Sequence, residues 1–255
     1  MKSIVVANWK MNPPTMREAK KLFDATRKAA EGAKNVAVIV APPAIFLREL
    51  SVGYKGKRLS FAAQNAHYEA GGAYTGEVSM SEVRDAKCSS VIIGHAERRA
   101  MGEGNDDTRR KVATALVSGL TPVLCIGEKT RSSGGEHFEF VREQLVAGFA
   151  DVPPAKIPRV LVAYEPVWAI GAERPMSPRD MHEMAIFIRK TVVDRYGQGG
   201  MNLKILYGGS IDETNAGEMM RGGDVNGLLV GRVSTDAAKF SALLEILEHS
   251  SRSNT

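Results

Sequence analysis

Eight short apolar segments recur along the 255-residue chain, and they constrain its fold more than any other feature. They are dense in Val, Ile and Leu and do not alternate with polar residues, which is typical of strands buried on both faces of a parallel sheet. In chain order they are IVVAN at 4–8, VAVIVA at 36–41, LSFAAQN at 59–65, SVIIGH at 90–95, TPVLCIG at 121–127, VLVAYE at 160–165, KILYGG at 204–209 and GLLVG at 227–231.

Helical patterns lie between several of these segments. Capping-box spacing at 15–18 and 177–180 predicts two helix starts. Two apolar stripes at helical spacing predict packing faces and not ligand sites: Met181, Met184, Ile188 and Val192, then Phe240, Leu243, Leu244 and Leu247. Eight β–α units predict an α/β fold, a single-domain (β/α)8 TIM barrel over residues 1–255. The alternative is an open doubly wound sheet, which we disfavour because no glycine-rich dinucleotide loop follows the first segment.

Composition and charge exclude several classes of protein. The N-terminal segment MKSIVVANWK is too short and polar for a signal peptide, and no apolar run is long enough to cross a membrane. The net charge of +5 suits a small anionic substrate, but no basic stripe with interleaved aromatic residues indicates nucleic acid. Cys88 and Cys125 have neither metal-ligand nor disulfide spacing, so we expect two buried thiols in a reducing cytoplasm.

Polar and glycine residues follow six of the predicted strands, at the end of the barrel where such folds carry their chemistry. Taken singly, His95 would be a structural histidine, Lys10 a solvated charge, Glu165 an ion-pair partner, and the glycines tight turns. We nevertheless expect a site, because a base, an electrophile, a cation and a phosphate cradle on one rim are unlikely by chance. The strand ends are Asn8 to Lys10, Gln64-Asn65, Gly94 to Arg98, Glu165 to Trp168, Gly208 to Ser210, and Gly231-Arg232.

Nearly the whole chain, from Asn8 through the last helix, resembles the triosephosphate isomerase family. The resemblance lies in NWKMN (8–12), AQN (63–65), YTGEVS (74–79), GHAERR (94–99), CIGE (125–128), AYEPVWAIG (163–171), YGGS (207–210) and the GLLVG ending. It implies interconversion of dihydroxyacetone phosphate and D-glyceraldehyde 3-phosphate through an enediolate, with no cofactor and no metal.

The resemblance also implies the roles of the site residues. Glu165 would be the base and His95 a neutral electrophile, since this family is the standard example of such a pair. Lys10 would place positive charge beside the enediolate and the phosphate, and Asn8 would help to orient it. Glu97 would support Lys10, although a purely structural role for Glu97 is equally open.

Two loops complete the family pattern. Segment 166–176 would be a lid that excludes water. Gly171 of that lid, with Ser210, Gly231 and Arg232, would bind the substrate phosphate through backbone N–H groups. GGAYTGEVS at 71–79 resembles the family's interdigitating loop, so Thr75 would support the active site of a partner and the chain would be a homodimer. A mobile surface loop is the alternative.

Three positions depart from the family pattern. Ala96 stands where a serine usually holds the base while the lid is open, which leaves the resting position of Glu165 undetermined. Pro175 and its neighbours replace the usual lid sequence at the same length, so we expect closure to survive. Arg232 replaces a glycine, and a positive φ there would cost about 1 kcal/mol or more.

We favour a negative φ at Arg232, with its N–H facing the phosphate and its guanidinium dispensable for isomerisation. The side chain would then pair with an acidic neighbour, lie over the rim or approach the ligand. The departures also admit two alternative functions. One is an isomerase of a slightly larger ketose phosphate such as erythrulose phosphate, and the other is a dimeric binding protein that has lost catalysis.

Overall fold

The computed structural model describes residues 2–131, 134–169 and 175–250. Within these ranges eight parallel strands form a closed barrel in sequence order, and the last strand pairs with the first. The TIM barrel is confirmed, and the open doubly wound alternative is wrong because β8 pairs with β1, which closes the sheet and leaves none of its eight strands at an edge. The strands are β1 Ser3–Asn8, β2 Val36–Ala41, β3 Leu59–Ala63, β4 Ser90–Ile93, β5 Thr121–Ile126, β6 Leu161–Tyr164, β7 Lys204–Tyr207 and β8 Gly227–Val230.

Helices surround the barrel and return the chain from the end of each strand to the start of the next. The α-helices of the described ranges are α1 Met16–Gly32, α2 Ala44–Gly53, α3 Met80–Asp85, α4 Ala96–Ala100, α5 Asn105–Val117, α6 Glu136–Phe149, α7 Pro178–Tyr196, α8 Ala216–Gly222 and α9 Ala237–Ser250. Short 3-10 turns lie at Pro154–Arg159, Val167–Ala169, Gly197–Asn202 and Arg232–Thr235.

Both predicted helix starts are confirmed. The Thr15 hydroxyl accepts the N–H of Glu18 at the start of α1, and the Ser177 hydroxyl accepts the N–H of Asp180 at the start of α7. These bonds satisfy donors that have no partner inside the helix. The two apolar stripes of α7 and α9 are buried, so their prediction as packing faces holds.

The strands are buried on both faces, as their dense apolar sequences predict. Alternate strand residues such as Val6, Ile92 and Leu229 fill the barrel interior, and the remaining ones pack against the helices. Cys88 and Cys125 are free and buried, and burial raises the pKa of the Cys88 thiol to about 12. In the described part of the chain, no helix is both long and apolar enough to cross a membrane. That residues 1–255 form one domain stays a prediction.

Candidate active site

A cavity of about 380 Å³ opens at the carboxyl end of the barrel. Its walls come from the ends of β1, β4, β6, β7 and β8, because parallel strands deliver their last residues to one rim. The cavity brings together most of the predicted site residues: Asn8, Lys10, His95, Glu165, Ser210, Gly231 and Arg232. Glu97 lies beside it, bonded to Lys10, and Gly171 lies outside the described residues.

Glu165 follows β6 and is buried, so its charge is costly unless nearby donors offset the loss of water. One carboxylate oxygen lies 3.1 Å from Nε2 of His95, and the other accepts the backbone N–H of Ala96 at 2.9 Å. Burial raises the pKa of Glu165 above its ordinary value of 4.5, while His95 and the Ala96 N–H partly counter the shift. A raised pKa makes this carboxylate a stronger base than one in water.

His95 occupies the N-cap position of α4, immediately after β4. Its Nδ1 accepts the backbone N–H of Glu97 at 3.2 Å. An imidazole nitrogen that accepts a hydrogen bond carries no proton, so this bond places the ring proton on Nε2. Nε2 points to the base and into the cavity, where it can donate to a substrate oxygen as a neutral electrophile.

The structure shows how Glu165 is held although Ala96 replaces the usual serine. A serine hydroxyl is not needed to hold the base here, since the Ala96 N–H at the start of α4 donates to the Glu165 carboxylate. This N–H is one of the helix-start donors that lack an intrahelical acceptor. The resting position of Glu165 is therefore defined by the backbone at Ala96 and by the ring of His95.

Lys10 has a backbone conformation that non-glycine residues rarely adopt, with φ of 53°. Such strain persists only where the surroundings impose it, and it often marks a functional position. The Asn8 side chain accepts the Lys10 N–H at 3.0 Å, and the Gln64 amide donates to the Lys10 carbonyl at 2.8 Å. The Lys10 ammonium then contacts Glu97 at 2.5 Å, so the predicted link between these two residues is present.

Glycines after β7 and β8 make room for the side chains of Glu165 and Lys10. A Cβ on Gly208 would lie 2.9 Å from Cγ of Glu165, and one on Gly231 would lie 3.0 Å from Cε of Lys10. Both distances are shorter than ordinary van der Waals contact. The sequence predicts phosphate contacts at these turns. The structure adds that the two glycines leave room for the side chains of Glu165 and Lys10.

Arg232 begins the 3-10 turn that follows β8, and its φ is not positive, as predicted. The Ser234 hydroxyl donates to the carbonyls of Gly231 and Asn8, which holds this turn against the end of β1. The Arg232 side chain is exposed at the mouth of the cavity. The sequence left three placements open for the guanidinium. One of them, an ion pair with an acidic neighbour, is absent among the described residues.

The hydrogen bonds that support Glu165 and Trp168 are not predicted by the sequence. The N–H of Glu165 donates to Ile126, and the Trp168 indole and the Tyr164 hydroxyl donate to the buried Glu128 carboxylate. The side-chain amide of Gln144 from α6 bonds both the N–H and the carbonyl of Gly127. The CIGE motif at 125–128 is the only sequence signal for this support, and its role depends on contacts between distant segments.

The sequence model of the triosephosphate isomerase family matches residues 3–247. The chain belongs to this family. It is 40% identical to the triosephosphate isomerase of Chlorobium phaeobacteroides over 247 residues, which cover 96% of this chain and 98% of the relative. The enzymes of the same name from Endomicrobium trichonymphae and Aquifex aeolicus are 37% and 35% identical over 246 residues, at 96% of this chain and 98% and 99% of the relatives.

Proposed function

We propose that this cavity interconverts dihydroxyacetone phosphate and D-glyceraldehyde 3-phosphate, the aldose–ketose isomerisation of a triosephosphate isomerase. The observation that carries the proposal is the buried Glu165–His95 pair at 3.1 Å, in one cavity with Lys10 and the glycine turns after β7 and β8. The relatives are all named triosephosphate isomerase, and nothing among them favours the longer erythrulose phosphate.

The reaction moves one proton between neighbouring carbons and needs no net oxidant. Glu165 removes a proton from C1 of dihydroxyacetone phosphate, and the C–H electron pair forms the C1–C2 double bond while the carbonyl π pair moves to oxygen. His95 donates from Nε2 to that oxygen, and Lys10 stabilises the negative charge that develops there. Glu165 then returns the proton to C2, the proton of the C1 hydroxyl passes through His95, and the aldehyde forms.

The substrate phosphate would be bound by backbone N–H groups at Ser210, Gly231 and Arg232, joined by Gly171 when the lid closes. The support for this proposal is that the first three line the same cavity as His95 and Glu165. Backbone donors suit a phosphate because they are fixed and carry no countercharge of their own.

A coupled assay on glyceraldehyde 3-phosphate tests the function. We expect wild-type turnover and a loss of at least about 1,000-fold in Glu165→Gln, which keeps the shape of the side chain but removes the base. Negligible wild-type turnover by folded protein would refute the function. Unchanged turnover in Glu165→Gln would refute the assignment of the base.

We also propose a homodimer in which loop 71–79 carries Thr75 into the partner's active site. Met11 and Met101 are 93% and 74% exposed although they are large and apolar. Both line a second cavity, of about 300 Å³, that also reaches Lys10, His95 and Glu97. Apolar side chains around such a cavity are typical of a surface that a partner covers.

Light scattering on Met101→Arg, with Val117→Arg as the control, tests the dimer. Val117 is 82% exposed on α5 and has no part in the proposed interface, so its variant should stay dimeric. We expect Met101→Arg to scatter light as a monomer and to have a much lower turnover than the wild type. A monomeric wild type at micromolar concentration would refute the proposal.

The two free buried thiols support a reducing compartment, and on that ground we propose the cytoplasm.

A further inference from the structure

Two residues at the mouth of the active-site cavity carry side-chain charges that have no role in the proposed isomerisation. Arg232 and Lys239 are both exposed and both line this cavity. Across residues 2–131, 134–169 and 175–250, neither forms an ion pair. The third cation of the cavity, Lys10, is instead engaged by Glu97 at 2.5 Å.

The backbone that carries both cations is fixed by hydrogen bonds. The Thr235 hydroxyl donates to the Arg232 carbonyl at 2.8 Å. The Asp236 carboxylate accepts the N–H groups of Ala238 and Lys239 at the start of α9. A fixed backbone lowers the entropy lost when these long side chains bind an anion.

The two carboxylates that line the cavity, Glu165 and Asp212, form no ion pair with Arg232 or Lys239. Glu165 is buried and is held by His95 and Ala96. The Thr214 hydroxyl is the largest cause of the lowered pKa of Asp212, and Lys239 makes a smaller electrostatic contribution. One oxygen of the Asp212 carboxylate, Oδ1, accepts that hydroxyl and the N–H groups of Thr214 and Asn215, which holds the carboxylate in its own loop.

We propose that the Arg232 guanidinium and the Lys239 ammonium form an outer anion subsite beside the phosphate position. The subsite binds the second phosphate of a compact diphosphate whose first phosphate occupies the inner position. The inner position is that of the proposed function, on which this inference rests. Guanidinium and ammonium groups both suit phosphate oxygens, and two unpaired cations that line one cavity can contact two adjacent phosphates.

Direct titration calorimetry with inorganic pyrophosphate and with orthophosphate tests the subsite without using turnover. The variants are Arg232→Gln and Lys239→Gln, which remove one charge each and keep the backbone N–H groups. The control is Lys28→Gln, which removes an equally exposed lysine from α1 outside the cavity. Circular dichroism melts establish that all three variants fold.

We expect the wild type to bind pyrophosphate about tenfold more tightly than orthophosphate, as one good charge-assisted contact would provide. Each cavity variant should lose about fivefold in pyrophosphate affinity and less than about twofold in orthophosphate affinity, whereas Lys28→Gln should change neither. Equal losses for both anions would show only a general electrostatic attraction and would overturn the subsite. No preference for pyrophosphate in the wild type, or no binding of either anion, would also overturn it.

The coupled isomerase assay separates this inference from the proposed function. An active enzyme with no pyrophosphate preference would refute the outer subsite alone. A folded protein that shows the predicted binding pattern but no turnover would refute the proposed function and leave the subsite standing.

Discussion

Gly208→Ala should displace the catalytic base without disturbing the barrel. The new Cβ would lie 2.9 Å from Cγ of Glu165, whereas ordinary contact begins at 3.4 Å. Its next neighbours, the Tyr164 carbonyl and the Leu229 side chain, lie at 3.4 and 3.5 Å and need not move. The Glu165 side chain must therefore shift by about half an ångström, and since a misplacement of 1 Å costs about 100-fold in rate, we expect kcat to fall about tenfold.

Steady-state kinetics and thermal unfolding of Gly208→Ala together measure the effect. The change should appear in kcat, with KM within about twofold of the wild-type value. The reason is that the contacts that bind substrate and transition state equally are retained. Gly32→Ala is the matched control, since its Cβ would meet no atom within 4 Å and the enzyme should keep its wild-type kcat.

Two results would refute this reasoning. A wild-type kcat in Gly208→Ala would show that Glu165 has room to move without loss, so that the short contact does not fix the base. A large fall in Tm with an unchanged kcat in the surviving folded enzyme would show that the backbone moves instead of the side chain.

The remaining predictions concern the charge network and the support under the base. Glu97→Gln should lower kcat by at least about tenfold in the coupled assay, because the Lys10 ammonium loses its partner at 2.5 Å and with it a fixed position. The acidic limb of the kcat/KM profile should lie above pH 4.5, since burial raises the pKa of Glu165 and the base is lost by protonation below that pKa. Gln144→Leu should lower the free energy of unfolding by about 2–6 kcal/mol in a urea titration, since it leaves two buried backbone groups of Gly127 without partners at about 1–3 kcal/mol each.

The sequence predicts the barrel and the residues that lie on its rim, because both depend on the local pattern of apolar and polar residues. A run such as VAVIVA at 36–41 shows its burial on two faces directly, and the order of the strands then determines which residues share the carboxyl end. His95 and Glu165 are separated by 70 positions along the chain, yet each follows a strand, so their meeting could be expected before any contact was known.

Other features of the site could not be predicted because they depend on distances between segments. Ala96 is an apolar residue in the sequence, and its contribution is a backbone N–H that becomes available only where α4 begins beside Glu165. Gln144 lies in the middle of α6, where a glutamine side chain is ordinarily expected to be exposed to solvent. The structure buries it against Gly127, and no periodicity distinguishes these two outcomes.

The glycines of the strand ends show why sequence and structure give different accounts of one residue. From the sequence, Gly231 is a backbone donor that lets a phosphate approach closely. In the structure the same missing side chain leaves space for Cε of Lys10, so a larger residue would displace the Lys10 side chain. Gly208 stands in the same relation to Glu165. The two turns therefore set the positions of Glu165 and Lys10, and with the proposed function a substitution at either glycine should alter catalysis even where phosphate affinity is kept.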